Sequence, residues 1–424
     1  MSLLSCACGN KETKKRRAKN ISTASIGSKD GSPKTAQTEQ QPQEGEEEVE
    51  EDMEQIDAAQ VQPDPLQYEL YAVIGKGHSN ISTITLAKNT ATDSLVAVKR
   101  VNLELWPGEL RYLQNEMAFT QMLSHRNVLP FYCSFISGQE LWAVMPLMAF
   151  GSCRDLIHAY FTSGLPELAI KLIMRDVIAA VDYLHYRWVI HRGIKASHVL
   201  ISKSGRVCLS GLHNAFYTIQ NGQRLRTVHD FPLHAADCVH SYSPELLEQN
   251  LAGYSFNSDV YSLGILLCEL ANGQAPFADL PATAMLLEKM KGTKPHLADS
   301  TTVSEFVIDE DAEYPPAEGM EDQPTSSQER ADAIFFKRTF APQLHDLAAA
   351  CLERDPHHRP TAGQLLHHPV FKSIKNCASS VLPSQLQPVT PLTDQSNIPK
   401  DLTMDDDDFS RKMSEVSMLE DWVF

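Results

Sequence analysis

From residue 68 to residue 147 the chain reads in strand periodicity, broken by one helical stretch, and after Gly151 it reads almost wholly in helical periodicity. Strands that come first and helices that follow define an α+β architecture, because consecutive strands pair antiparallel through short turns instead of alternating with crossover helices. YELYAVIGKG (68–77), ISTITLAKN (81–89) and SLVAVKRVNL (94–103) are short runs rich in β-branched residues and split by turns, which predicts three antiparallel strands. LRYLQNEMAFTQML (110–123) spaces its apolar residues for one helix, and NVLPFYCSF (127–135) and ELWAVMPL (140–147) predict two further strands. The expected N-terminal lobe therefore has five strands and one helix.

The later half is helical. In ELAIKLIMRDVIAAVDYLHYR (167–187) positions 168, 170, 172, 173, 177, 180, 181 and 184 form one apolar stripe. SDVYSLGILLCELANG (258–273) is nearly apolar along its length, which predicts a helix buried on all sides. Helices return at QLHDLAAACLERD and TAGQLLHHPVF. The Ser-, Thr-, Pro- and acid-rich stretch from Leu297 to about Arg330 is expected to be a disordered insertion.

The ends read as tails. Residues 1–65 carry a basic run, Lys11 to Lys19, and an acidic run, Glu44 to Glu54, and cannot bury enough apolar area to offset ordering entropy. The basic run suits nuclear import, a membrane surface or a solvated tail. Cys6 and Cys8 could carry palmitate, whereas Ser2 excludes myristoylation. Residues 372–424 form a C-terminal tail that turns acidic at Asp405 to Asp408 and ends in Trp-Val-Phe. A net charge of −17 disfavours nucleic acid as partner. No apolar run is long enough for a membrane span. Nine scattered cysteines argue for reduced thiols, hence for cytoplasm and nucleus.

Seven markers follow one another along this frame: GKGHSN (75–80), VAVK (96–99), Glu116, HRG (191–193), SPE (243–245), SDVYSLG (258–264) and RDPHHRP (354–360). Together they resemble a protein-kinase domain over residues 68–371, which implies a bilobal kinase-like fold with a mostly helical second lobe. By the resemblance, Ile74, Gly75, Gly77 and Ser82 belong to a glycine hairpin whose backbone approaches nucleotide phosphates. Its third glycine is replaced by Asn80 and its aromatic tip by Ser79. Lys99 would pair with the α- and β-phosphates and with Glu116. Glu245 and Arg359 match a buried ion pair, and Asp259 matches the aspartate that braces the catalytic loop.

The chemistry departs from that pattern. The resemblance calls for an aspartate directly after His-Arg, where it accepts the substrate proton; here the residue is Gly193. The magnesium-binding asparagine is His198, and the magnesium-binding aspartate of the next segment, VCLSGLHN, is Gly211. A general base contributes about 10²–10⁴-fold to rate, and metal neutralisation adds several kcal/mol. No catalytic residue is therefore expected. Nucleotide binding needs shape and charge instead, and Lys99 and Lys195, helped by His213, could hold ATP without a divalent ion, with His198 close by.

HRGIKASHVLIS, LSGL, GQRLRTVHDFP and SPELLEQNLAGYSFNSDVYSLGILLCELANGQAPF resemble the STRAD adaptor pseudokinases, of the sterile-twenty-related branch. The resemblance implies an adaptor that binds and allosterically activates the tumour-suppressor kinase liver kinase B one. The third member would be an armadillo-type scaffold of the calcium-binding-protein-thirty-nine family. The kinase would dock partly on the activation segment, and the scaffold would take Trp422 and Phe424. These aromatics, two apart on an extended tail, point the same way; the family's intervening Glu is here Val423. A nucleotide-free scaffold and a weak, unconventional serine/threonine kinase are the alternatives.

Overall fold

The computed structural model describes residues 61–77, 81–105, 110–232, 235–249, 251–302, 335 and 337–394, all within the compact unit Ala58–Phe424. The N-terminal tail up to residue 60, Ser79 and Asn80, the insertion from 303 to 330, and Trp422 and Phe424 lie outside the described residues.

Five strands form one antiparallel sheet: β1 (Tyr68–Gly77), β2 (Ser82–Asn89), β3 (Ser94–Asn102), β4 (Cys133–Ser137) and β5 (Glu140–Pro146), in the order β1-β2-β3-β5-β4. The sheet and its single helix, α1 (Leu110–Met122), match the expected first lobe. Lys99 stands in the central strand, opposite Ile84 on one side and Ala143 on the other. Tyr112 and Leu113 of α1 pack with Ile81 and Val101, which seats the helix on the sheet.

The second lobe is built on α2 (Cys153–Ala159), α3 (Glu167–Tyr186), α4 (Pro244–Glu248), α5 (Asn257–Asn272) and α6 (Ala282–Lys291), with helices Pro342–Cys351 and Ala362–Leu366 beyond. The α3 stripe is buried as its spacing predicts, from Ile170 to Leu184. On α5 every residue from Ser258 to Ala271 is buried. Burying one Leu, Ile or Val contributes about 1.5–3 kcal/mol, and these two helices supply more of the main core than any other pair of elements. Between the lobes run short strands β6 (Gly151–Ser152), β7 (Val189–Ile190), β8 (Val199–Ile201), β9 (Val207–Leu209) and β10 (Phe216–Tyr217). Strands β6, β8 and β9 form one small sheet, and β7 pairs with β10.

Three boundaries differ from those expected. Val61 is buried and the Gln62 carbonyl accepts from the Tyr68 hydroxyl at 2.6 Å, so ordered chain begins before residue 65. Residues 297–302 belong to the fold, not to the insertion. Leu297 and Asp299 are fully buried, and the Asp299 carboxylate accepts from Phe340 N–H at 2.8 Å and meets His345 Nε2 at 2.9 Å. The start of the C-terminal tail is also folded: Ile374, Leu382, Leu386 and Val389 enter the main core, and Arg175 donates to the Cys377 carbonyl at 2.9 Å.

Candidate functional site

Strand β3 delivers Lys99 into the cleft and α1 delivers Glu116 to meet it. Their charged groups are 2.6 Å apart, and both side chains are almost wholly buried. The same turn of α1 reaches the segment after β9. Asn115 Nδ2 donates to the carbonyls of His213 and Ala215 at 2.7 and 3.1 Å, and Tyr112 stacks on the His213 ring at 4.3 Å. The helix is thus fixed from both sides, by an ion pair to the sheet and by a clamp to residues 212–215. Tyr112 and Asn115 were not singled out from the sequence, although both lie within four residues of Glu116 on its helix.

The catalytic-loop backbone is braced from α5. Asp259 accepts from the amides of His191 and Arg192 at 2.8 and 3.0 Å and meets His185 Nε2 at 2.9 Å. Burial pushes this carboxyl up, but the hydrogen bonds and charge interactions from His185 and His191 hold it below the usual carboxylate range. Arg192 is buried and ties the loop to the activation segment. Its guanidinium donates to the Asn214 carbonyl at 2.6 Å, the Asp230 carboxylate at 2.7 Å and the Tyr254 hydroxyl at 2.8 Å. Glu245 and Arg359 form the expected pair, with two hydrogen bonds of 2.6 and 2.9 Å.

The cleft gathers the remaining sequence-derived residues, with differences in what they face. Ile74 joins an apolar cluster of Ala97, Leu129, Met145, Met148 and Cys208, flanked by Ile84 and Leu200. Gly75 and Gly77 lie in β1 and pair with Ile84 and Ser82 of β2. Ser82 is buried, and its hydroxyl has no hydrogen-bond partner among the described residues. Lys195 turns its ammonium to the Asp237 carbonyl at 2.7 Å. His198 Nδ1 lies 2.6 Å from the Gly193 carbonyl, and the His198 and His213 rings meet edge-on at 5.3 Å. Burial, then the charge of Lys195, holds the His198 imidazole well below its ordinary pKa, which makes it neutral. A neutral ring whose Nδ1 donates to a carbonyl leaves Nε2 as an acceptor, and an acceptor does not receive a phosphate oxygen.

The kinase frame implies magnesium, and the residues present do not fit it. Magnesium takes oxygen ligands in near-ideal octahedral geometry, while positions 198 and 211 offer an imidazole and no side chain. Among the described residues no group of three or more His, Cys, Asp or Glu could hold a metal ion. The cleft places the apolar cluster around Ile74 and Ala97 beside Lys99, whose ammonium is paired with Glu116. A separate cavity of about 430 Å³, lined by Met122, Tyr186, Arg187, Trp188 and Tyr217, contains none of these residues.

Residues 68–371 match the family model described as the protein kinase domain, and the chain belongs to that family. Within it, the chain is 44% identical over 333 residues to human STE20-related kinase adapter protein alpha, covering 77% of each chain. The chicken alpha protein is also 44% identical, over 338 residues, with 78% of this chain and 87% of the relative covered. The mouse beta protein is 38% identical over 351 residues, with 77% and 83% covered. The chain therefore belongs with the STE20-related kinase adapters, and the STRAD resemblance is borne out. Among the described residues no helix is long and apolar enough to cross a membrane.

Proposed function

We propose that this chain is a catalytically inactive adaptor that binds liver kinase B one and activates it allosterically, together with an armadillo-type scaffold of the calcium-binding-protein-thirty-nine family. The observation that carries this reading is the coexistence of a closed frame with absent chemistry. Lys99 and Glu116 are joined at 2.6 Å and the activation segment is pinned by Arg192, yet positions 193 and 211 carry no side chain. A true kinase must have its strand-three lysine and helix glutamate paired to work. Here the pairing maintains a shape, and a shape held in one state can favour one state of a partner. The relatives are named kinase adapter proteins, which supports partner binding over turnover.

ATP would be held by the apolar cluster beside Ile74 and by Lys99, with Lys195 and His213 near the phosphates. It supplies a ligand that ties the two lobes together, and no metal is needed. Trp422 and Phe424 would engage the scaffold as aromatic anchors, at about 2–4 kcal/mol each. The test is reconstitution with purified kinase and scaffold. The native chain should raise kinase activity, and Trp422→Ala/Phe424→Ala should weaken scaffold binding by at least about 30-fold. Peptide phosphorylation by the purified chain alone that disappears in Lys99→Met would overturn the reading.

A further inference from the structure

The two glycines that replace carboxylates are not equivalent. Gly193 has room: a Cβ built there would lie 3.5 and 3.6 Å from His191 Nδ1 and Cε1 and 3.7 Å from Cys238 Sγ, ordinary contact distances. Gly211 has none. Its backbone is left-handed, with φ 83° and ψ 39°, and a Cβ there would lie 2.5 Å from His198 Nδ1 and 2.7 Å from both Cε1 and Cγ. The imidazole lies against the face of Gly211 from which a side chain would leave.

Several contacts keep the ring there. Its Nδ1 is 2.6 Å from the Gly193 carbonyl, and its edge meets His213 at 5.3 Å. The stack of Tyr112 on His213 and the two bonds from Asn115 hold that neighbour in turn. The His198 backbone is held as well: its amide donates to the Lys195 carbonyl, and its carbonyl accepts from Ser210 N–H at 2.8 Å. A ring wedged among these partners cannot give way as the free end of a long side chain would.

We infer that His198 is a plug: its imidazole fills the place a metal-binding aspartate at position 211 would need, so the divalent-cation site is closed by packing and not merely short of ligands. Restoration then has an order. An aspartate at 211 is excluded until the ring at 198 is removed, whereas position 193 has room for a Cβ without any change at 198. The inference concerns the chain's own packing and does not rest on nucleotide binding.

The test compares Gly211→Asp, His198→Asn and the double variant in the full chain by melting temperature and by electron paramagnetic resonance of added Mn²⁺, with Gly193→Asp as control. The left-handed backbone at 211 strains any side chain, Asp less than most, and that strain is common to Gly211→Asp and the double variant, so their difference isolates the ring. Gly211→Asp alone should melt at least about 5 °C below the native chain, and adding His198→Asn should restore the part of that loss due to the ring. The double variant should bind Mn²⁺ at least about tenfold more tightly than Gly211→Asp, competed by Mg²⁺. Additive melting shifts, or equal Mn²⁺ binding by the single and double variants, would overturn the plug. If Gly211→Asp gives no folded protein, the native chain decides the matter by NMR. Mn²⁺ should leave the His198 ring signals unbroadened, and selective broadening of them would refute the closure.

Discussion

Lys289 is buried with no carboxylate paired to it among the described residues, which makes it a sensitive test of how the activation segment is held. It lies near the end of α6 with no solvent exposure. Its ammonium donates to the carbonyls of His240 and Tyr242 at 2.5 and 2.8 Å, with Val239 O at 3.4 Å, and sits 5.6 Å from the Tyr261 ring centre. Burial lowers its pKa from 10.5 to about 7. Between those values the unfolded chain binds a proton that the folded chain does not, so stability rises with pH. The penalty for burying the charge is complete below about pH 7 and fades as the unfolded lysine approaches its own pKa.

At about 1.36 kcal/mol per unit, the gain between pH 7 and pH 9 is about 2 kcal/mol. Buried thiols act in the opposite direction: burial pushes Cys268 and Cys351 up to about 12, so they favour unfolding as the solution becomes alkaline. The difference between the native chain and Lys289→Met removes their contribution. Methionine is neutral throughout and leaves the three carbonyls without their donor, at a cost that does not vary with pH. Urea denaturation at pH 7, 8 and 9 should therefore show the native chain gaining about 2 kcal/mol on Lys289→Met across the range. Parallel stability profiles would refute the assignment of a depressed lysine to this site.

Three further outcomes are expected. Glu245→Gln strips the wholly buried Arg359 side chain of its carboxylate; urea unfolding should show a loss of about 3–5 kcal/mol, the cost of a broken buried pair. Replacing residues 303–334 with a six-residue Gly-Ser linker should move the melting temperature by no more than about 2 °C, because loop-closure entropy depends only weakly on length. Ser300 N–H already donates to the Arg338 carbonyl at 2.9 Å, so the linker's two anchor points are close neighbours. Asn115→Ala leaves the carbonyls of His213 and Ala215 without their donor; hydrogen exchange over residues 212–215 should quicken by about tenfold or more, matching at least 1.4 kcal/mol.

The parts of the fold legible in the sequence are those that rest on periodicity or on a residue type at a fixed place in a marker. The alternation of β1 to β5, the α3 stripe and the wholly buried α5 are of the first kind; Lys99 with Glu116, Glu245 with Arg359, and Asp259 are of the second. What stayed hidden depends on partners far along the chain. Residues 297–302 read as loop because Ser, Thr and Asp dominate them, yet Asp299 is buried by hydrogen bonds to Phe340 and His345, more than forty positions away. Lys289 looks like a surface residue of an amphipathic helix, and only the approach of residues 239–242 buries it. The closure of position 211 was equally invisible, because it joins a left-handed backbone to the ring of a residue thirteen positions earlier.

These findings separate the kinase frame from kinase chemistry at the level of individual bonds. Asp259 holds the amides of His191 and Arg192, and Arg192 in turn holds Asn214, Asp230 and Tyr254. None of those bonds passes through a side chain at position 193 or 211, so losing the carboxylates leaves the path from α5 to the activation segment intact. A buried carboxylate beside Gly211 would need a cation or several donors to offset its desolvation. The ring of His198 is neutral and already spends its donor on the Gly193 carbonyl. A glycine with an imidazole packed on it fills that volume without adding a charge. The same exchange that removes the carboxylate therefore leaves the cleft without an unpaired buried charge at this place.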